Sequence, residues 1–163
     1  MIAQEEAFAR IRLLRSPNIG PVSYRQLLAR FGSAEAAIEA LPDLAQRGGR
    51  AYVAARPEII AEEISQVRRA RAKYLFHDQP GYPRLLAEAA GAPPILTWRG
   101  DLSIAERPCV AIVGARNASA AAVKLARDFS AALSAAGFTV VSGLARGIDG
   151  AAHWGALSAT VGV

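Results

Sequence analysis

The stretch 142-SGLARGID-149, read together with the shorter turn 114-GAR-116, decides the fold of this chain. Each turn follows a short apolar run and precedes a helical pattern. Both therefore open onto the same edge of one sheet, the edge at which open α/β sheets bind ligands. The first run, CVAIV at 109–113, is too brief for a free helix and reads as a strand. Residues 119–136 carry Val123, Ala126, Phe129, Leu133 and Ala136 at helical spacing, with Ser119 as N-cap and Gly137 placed to end the helix. FTVV at 138–141 is the second strand. A further helix begins near Asp149 and holds Ala151, Ala152 and His153. The order strand, helix, strand, loop, helix predicts a right-handed βαβ unit.

The chemistry of the loop follows from what it lacks. Gly143 and Gly147 have no side chain to keep a ligand from their backbone N–H groups, and Ser142 adds a hydroxyl donor. The helix that follows brings unpaired N–H groups and the positive end of its dipole. Such a site favours an anion, most often a phosphate. Arg116 and Arg146, one beside each turn, can place guanidinium forks on phosphate oxygens.

The runs 110-VAIVGARNAS-119 and 142-SGLARGIDGAAHWGAL-157, preceded by 82-YPRLLAEAAGAPPILTWRGDL-102, resemble DNA processing protein A, the DprA/Smf family. The resemblance covers nearly the whole chain, and S-G-x-A-x-G-I-D-x-x-A-H is far more specific than a lone glycine motif. It implies an α/β fold: an extended Rossmann-like parallel sheet preceded by a small all-helical domain. It also implies sequence-independent binding of single-stranded DNA along its phosphates, protection of incoming DNA, and loading of the RecA recombinase. Gly114, Arg116 and Ser119 match the family's G-S-R-x-x-S turn. Ser142, Gly143, Ala145, Gly147, Ile148, Asp149 and His153 match the second motif. Ala115 departs from the usual Ser, and Ala121 and Ala122 stand where Tyr-Gly is common. The expected phosphate site is thus Gly114, Arg116, Ser119, Ser142, Gly143, Ala145, Arg146 and Gly147, supported by Asp149 and His153. Pairing into a homodimer is likewise implied by the resemblance alone.

Residues 1–72 read as a helical domain and 73–163 as the Rossmann-like one. Phe8, Ile11 and Leu14, with Leu13 at the edge, give the first helix an apolar face that stops at Ser16-Pro17. The hairpin 18-NIGP-21 leads into a second helix with Val22, Leu27, Leu28 and Phe31, and Asn18 tolerates positive φ where a glycine is usual. This resembles a helix-hairpin-helix module; a plain αα-turn fits as well. A third helix runs over 34–40 and is closed by Leu41-Pro42, and 46-QRGGR-50 reads as a turn. The next helix runs from Pro57 to about Lys73 with Ile59, Ile60, Ile64 and Val67 inside. YLFH (74–77) and ILTWRG (95–100) read as strands that, by the resemblance, extend the parallel sheet. Tyr82 and Trp98 read as core. The last residues, 160-TVGV-163, read as the start of a third strand, so the sheet is expected to be C-terminally incomplete.

The chain has 163 residues, 52% hydrophobic and 20% charged, enough for one domain and a smaller second one. Its net charge of +5 fits a polyanionic partner, although only Lys73 and Lys124 are lysines, so the arginine excess also fits a compositional bias. From Arg107 onward five basic residues face two acidic ones, a net of +3. A single cysteine, Cys109, excludes an internal disulfide framework, fits a reducing cytoplasm and heads a strand as packing. Neither a secretory signal nor an apolar run of membrane-spanning length is present.

Catalytic readings find little support. No G-x-x-x-x-G-K-[ST] loop exists, no G-x-G-x-x-G follows the first strand, and His77 and His153 lack partners at metal-ligand spacing. Asp149 and His153, four apart, share a helix face. A capping Asp and a pocket-wall His account for them better than an acid/base pair. No cofactor and no catalysis are expected. Two other readings stand beside the strand binder: a nucleotide-processing phosphoribohydrolase of the lysine-decarboxylase-like Rossmann group, and an anion-binding scaffold with no role in DNA.

Overall fold

The computed structural model describes residues 2–46 and 51–163. The expected turn at 46–50 lies, from Arg47 on, outside them. Contacts divide the chain into Met1–Gly100 and Asp101–Val163, and each unit has its own core.

The first unit begins with four helices: α1 (Gln4–Arg15), α2 (Pro21–Phe31), α3 (Ala34–Gln46) and α4 (Pro57–Arg69). The sequence supplies their ends. Pro21 and Pro57 sit at first-turn positions, where a missing N–H costs nothing, and Gly32 closes α2 at φ 79°. Asn18 takes φ 62° in the hairpin before α2, as expected for a residue standing in for glycine. One core joins Leu13, Tyr24, Ala34, Ala37, Ile38 and Leu41.

Four positions of this unit depart from the sequence expectation. Leu13, placed at an edge, is fully buried, whereas Leu14 is only partly so. Val22 is exposed, and Tyr24 carries the inner face of α2. Ile59 is 52% exposed because its neighbour Ile60 takes the inward direction, against Ile11 and Phe76. Pro42 does not close α3, which runs on to Gln46. Proline removes one helical hydrogen bond, and the buried Ile38 and Leu41, on the turn before it, hold the helix to the core across that gap.

After α4 the chain reverses at Arg71, whose φ is 54°, into β1 (Lys73–Phe76). The short α5 (Arg84–Ala87) separates it from β2 (Ile95–Trp98). The two strands pair antiparallel, Lys73 opposite Trp98 and Phe76 opposite Ile95, in a sheet of their own. The segment expected to lengthen the parallel sheet instead packs with the helices, Phe76 meeting Ile11 and Ile60. Tyr82 is core, its hydroxyl donating to the Pro93 carbonyl at 2.6 Å. Trp98 is half-buried, with the Lys73 ammonium 5.4 Å from its ring centre.

The second unit opens with a 3-10 turn, Leu102–Glu106, and continues through β3 (Cys109–Ala111), α6 (Ala120–Ala135), β4 (Thr139–Ser142), α7 (Ile148–Gly155) and β5 (Thr160–Gly162). The sheet is wholly parallel in the order β3-β4-β5, with Val110 beside Val140 and Val140 beside Thr160. This is the Rossmann-like arrangement the two turns predicted. β4 is central and most buried; β3 and β5 flank it. Cys109 is half-buried, with Sγ 3.2 Å from the Arg107 carbonyl.

The inner face of α6 differs from expectation. Phe129 is 59% exposed and Ala136 is exposed; Ala126 is buried as expected, and Ser130, which was not expected there, is buried with it. The reason is close helix approach. A Cβ on Gly155 of α7 would stand 2.3 Å from the Arg127 carbonyl oxygen and 2.8 Å from the Ser130 Cβ, so only small residues fit where α6 and α7 meet. The Ser130 hydroxyl is satisfied by the Ala126 carbonyl at 2.8 Å.

Candidate functional site

The parallel register brings the ends of β3 and β4 side by side, so the turns 114–119 and 143–147 emerge together at the carboxyl edge of the sheet. They are bound to each other. The Ile148 N–H donates to the Ala115 carbonyl at 3.2 Å. A Cβ on Gly147 would fall 2.3 Å from the Ala115 oxygen and 2.6 Å from the Arg116 oxygen, and its φ of 82° belongs to the region glycine favours. A Cβ on Gly114 would meet Ile148 at 2.7 Å. These glycines let one turn close on the other.

Asp149 joins them most directly. It is 7% exposed, and its two carboxylate oxygens accept from the Gly114 N–H at 3.3 Å and the Gly143 N–H at 3.1 Å. The expected capping role is corrected: α7 has Gly147 at its N-cap and no side-chain cap. His153 does not bond Asp149 either. Its Nδ1 lies 2.7 Å from the Thr160 hydroxyl, which donates to the Val140 carbonyl at 2.9 Å. Since that hydroxyl proton is used, Nδ1–H donates, and Nε2 is buried without a partner among the described residues.

Two expected donors are committed elsewhere. The Ser142 hydroxyl, 2% exposed, donates to the Ile112 carbonyl at 2.7 Å, and the Gly143 N–H goes to Asp149. Ser119 does cap α6, accepting from the Ala122 N–H at 3.3 Å. Ala145 is half-buried within the loop. Arg116 and Arg146 are exposed and form no ion pair or hydrogen bond among the described residues; Lys124, by contrast, is paired with Asp128 at 2.5 Å. Leu144, which the sequence reading passed over, adopts φ 58° and stands 69% exposed, its side chain seated over Gly162. No signal in the sequence marked it beyond its place between two glycines. No group of three or more His, Cys, Asp or Glu among the described residues could hold a metal.

A wholly parallel sheet with two interlocked turns at its carboxyl edge defines a protein of the Rossmann-like class. The comparisons narrow that class. A family described as DNA recombination-mediator protein A matches residues 73–163, and one described as the DprA-like N-terminal HHH domain matches residues 4–65. The chain belongs to the DNA recombination-mediator protein A, or DprA/Smf, family. Protein Smf from Synechocystis is 45% identical over 85 residues, covering 50% of this chain and 21% of that protein. DNA processing protein DprA from Streptococcus pneumoniae is 34% identical over 108 residues, covering 62% and 38%. The chain thus matches well under half the length of these relatives. Among solved structures, the X-ray structure of S. pneumoniae DprA superposes with a TM-score of 0.65 at 26% identity, covering 99% of this chain and 57% of the other. Helicobacter pylori DNA processing protein A, described for its single-stranded DNA binding mode, gives 0.51 at 26% identity, covering 56% and 41%.

Proposed function

We propose that this chain binds single-stranded DNA without sequence preference, protects incoming DNA during transformation, and delivers it to the RecA recombinase. The carrying observation is the pair of interlocked turns with Arg116 and Arg146 exposed beside them and unpaired among the described residues. Guanidinium forks held on a rigid edge can neutralise successive phosphates, which requires no base readout. The backbone around Ala145 and Gly147 and the first turn of α6 behind Ser119 complete the phosphate track. Gly114, Ser142 and Gly143 shape it from within. We take residues 73–163 as the DNA-facing domain, 1–72 as an accessory helical one, and the acting species as a non-catalytic, cytoplasmic homodimer. The single-strand mode of the H. pylori relative supports the ligand; membership of a recombination-mediator family supports the RecA step.

Fluorescence anisotropy with labelled single-stranded and duplex oligonucleotides at two salt concentrations tests this reading. Binding is expected to favour the single strand and to weaken with salt. Arg116→Ala and Arg146→Ala should each lower affinity and flatten the dependence of log K on log salt by about 0.7, the loss of one phosphate contact on a single strand. Equal affinity for duplex, no effect of either change, or hydrolysis of a mononucleotide would set the proposal aside.

A further inference from the structure

We propose that Asp149 is a built-in anion, occupying the position between the two turns where a Rossmann-like site would hold a terminal phosphate, and that it thereby turns a nucleotide pocket into an external track for a phosphodiester chain. The inference rests on the phosphate-track reading above and concerns what that site excludes. The geometry is that of an anion in a nest. One oxygen takes the N–H at the end of β3, the other takes the N–H at the end of β4, and the carboxylate lies in the first turn of α7, at the positive end of its dipole. Backbone N–H groups at strand-to-helix turns are donors of the kind that receive a nucleotide phosphate.

The carboxylate leaves no room and carries the wrong sign for a second anion. It is buried, no cation bonds it among the described residues, and a Cβ on Gly143 would already stand 2.9 Å from Oδ2. A terminal phosphate entering here would displace Asp149 or meet its charge at contact distance in a poorly hydrated place, which costs far more than at the surface. Phosphodiesters carry one charge each and have no terminal group to insert, so they can lie outside on Arg116 and Arg146. Asp149 is then a positioning residue for both turns and sets the ligand class. Oligomers are accepted and free nucleotides are not.

Three measurements on the full chain test this. Calorimetric titration with ADP should show no binding to the wild type at millimolar concentration. Asp149→Asn must turn an amide N–H toward one glycine N–H, so one bond breaks and one turn is released. Its affinity for labelled oligothymidylate should fall at least tenfold. The salt slope should also drop by about 0.7 as one arginine loses its phosphate, a change that lowered stability by itself would not produce. Should that variant not fold, amide exchange of the wild type still decides the tie: Gly114 and Gly143 should be protected relative to Ala115 and Leu144. ADP binding, an unchanged affinity and slope in Asp149→Asn, or unprotected glycine amides would each overturn the proposal. A wild type that ignores oligothymidylate, yet shows protected glycines and no ADP binding, would remove the single-strand reading and leave the built-in anion standing.

Discussion

In the second unit a Cβ would collide at Gly147 with the Ala115 and Arg116 carbonyls, at Gly114 with Ile148, and at Gly155 with the Arg127 carbonyl. Gly147 adds a backbone constraint, its φ of 82° being unfavourable for a side chain. Its replacement should separate the turns. Gly147→Ala is expected to cost about 1–3 kcal/mol, the range for a residue forced into a sparsely populated backbone region. Gly91→Ala is the matched control, since a Cβ there meets nothing within 4 Å. Urea unfolding of the two variants should show a lowered midpoint for the first and little change for the second. Comparable midpoints would mean that the turns accommodate a side chain without strain.

Between elements, the sequence was most legible where local chemistry decides and least where packing does. Ser119 announced the cap of α6, Asn18 the positive φ before α2, and the apolar runs the three parallel strands, because each depends on a few adjacent residues. On α6 apolar spacing favours Phe129, whereas a helix that must approach Gly155 closely turns Ser130 inward beside the expected Ala126. Pro42 was read as a stop because its missing N–H is visible and the anchors around it are not. The same holds at the site. The arginines and glycines could be named from the motif, but the partners of Asp149 lie on two other loops. One tie between helices makes a pH prediction. Arg15 on α1 grips Glu63 on α4 through two 2.9 Å hydrogen bonds, and the Tyr74 hydroxyl donates to the same carboxylate at 3.1 Å. The Arg15 hydrogen bond, opposed by burial and reinforced by the Arg15 charge and Tyr74, holds Glu63 below its ordinary range. The stability this confers is full above the ordinary glutamate range and is lost as pH falls through the lowered folded value. Glu63→Gln should therefore cost about 0.2–1 kcal/mol at pH 7, as expected for a partly solvated pair, and less at pH 3. A penalty that stays constant between these pH values would show that the ionised pair contributes nothing.

Across the whole molecule, positive charge is not concentrated at the turns. Residues 1–100 hold fourteen basic and ten acidic residues, and residues 101–163 hold five and four. The binding proposed at the turns then rests on a few placed guanidinium groups rather than on the general field of the second unit, and for that reason single arginine changes should be felt. The tie made by Asp149 also bears on the order of events in folding. Its carboxylate closes on Gly143 across 6 residues of chain but on Gly114 across 35, a span that includes all of α6 and β4. Ordering the first turn therefore waits until α7 has docked, so the ligand edge is assembled after the sheet rather than with it. In stopped-flow denaturant jumps, Asp149→Asn should leave the refolding rate nearly untouched and accelerate unfolding, the pattern of contacts absent from the transition state. The surface proposed to receive the strand is then the last part of this unit to form and the first to be lost.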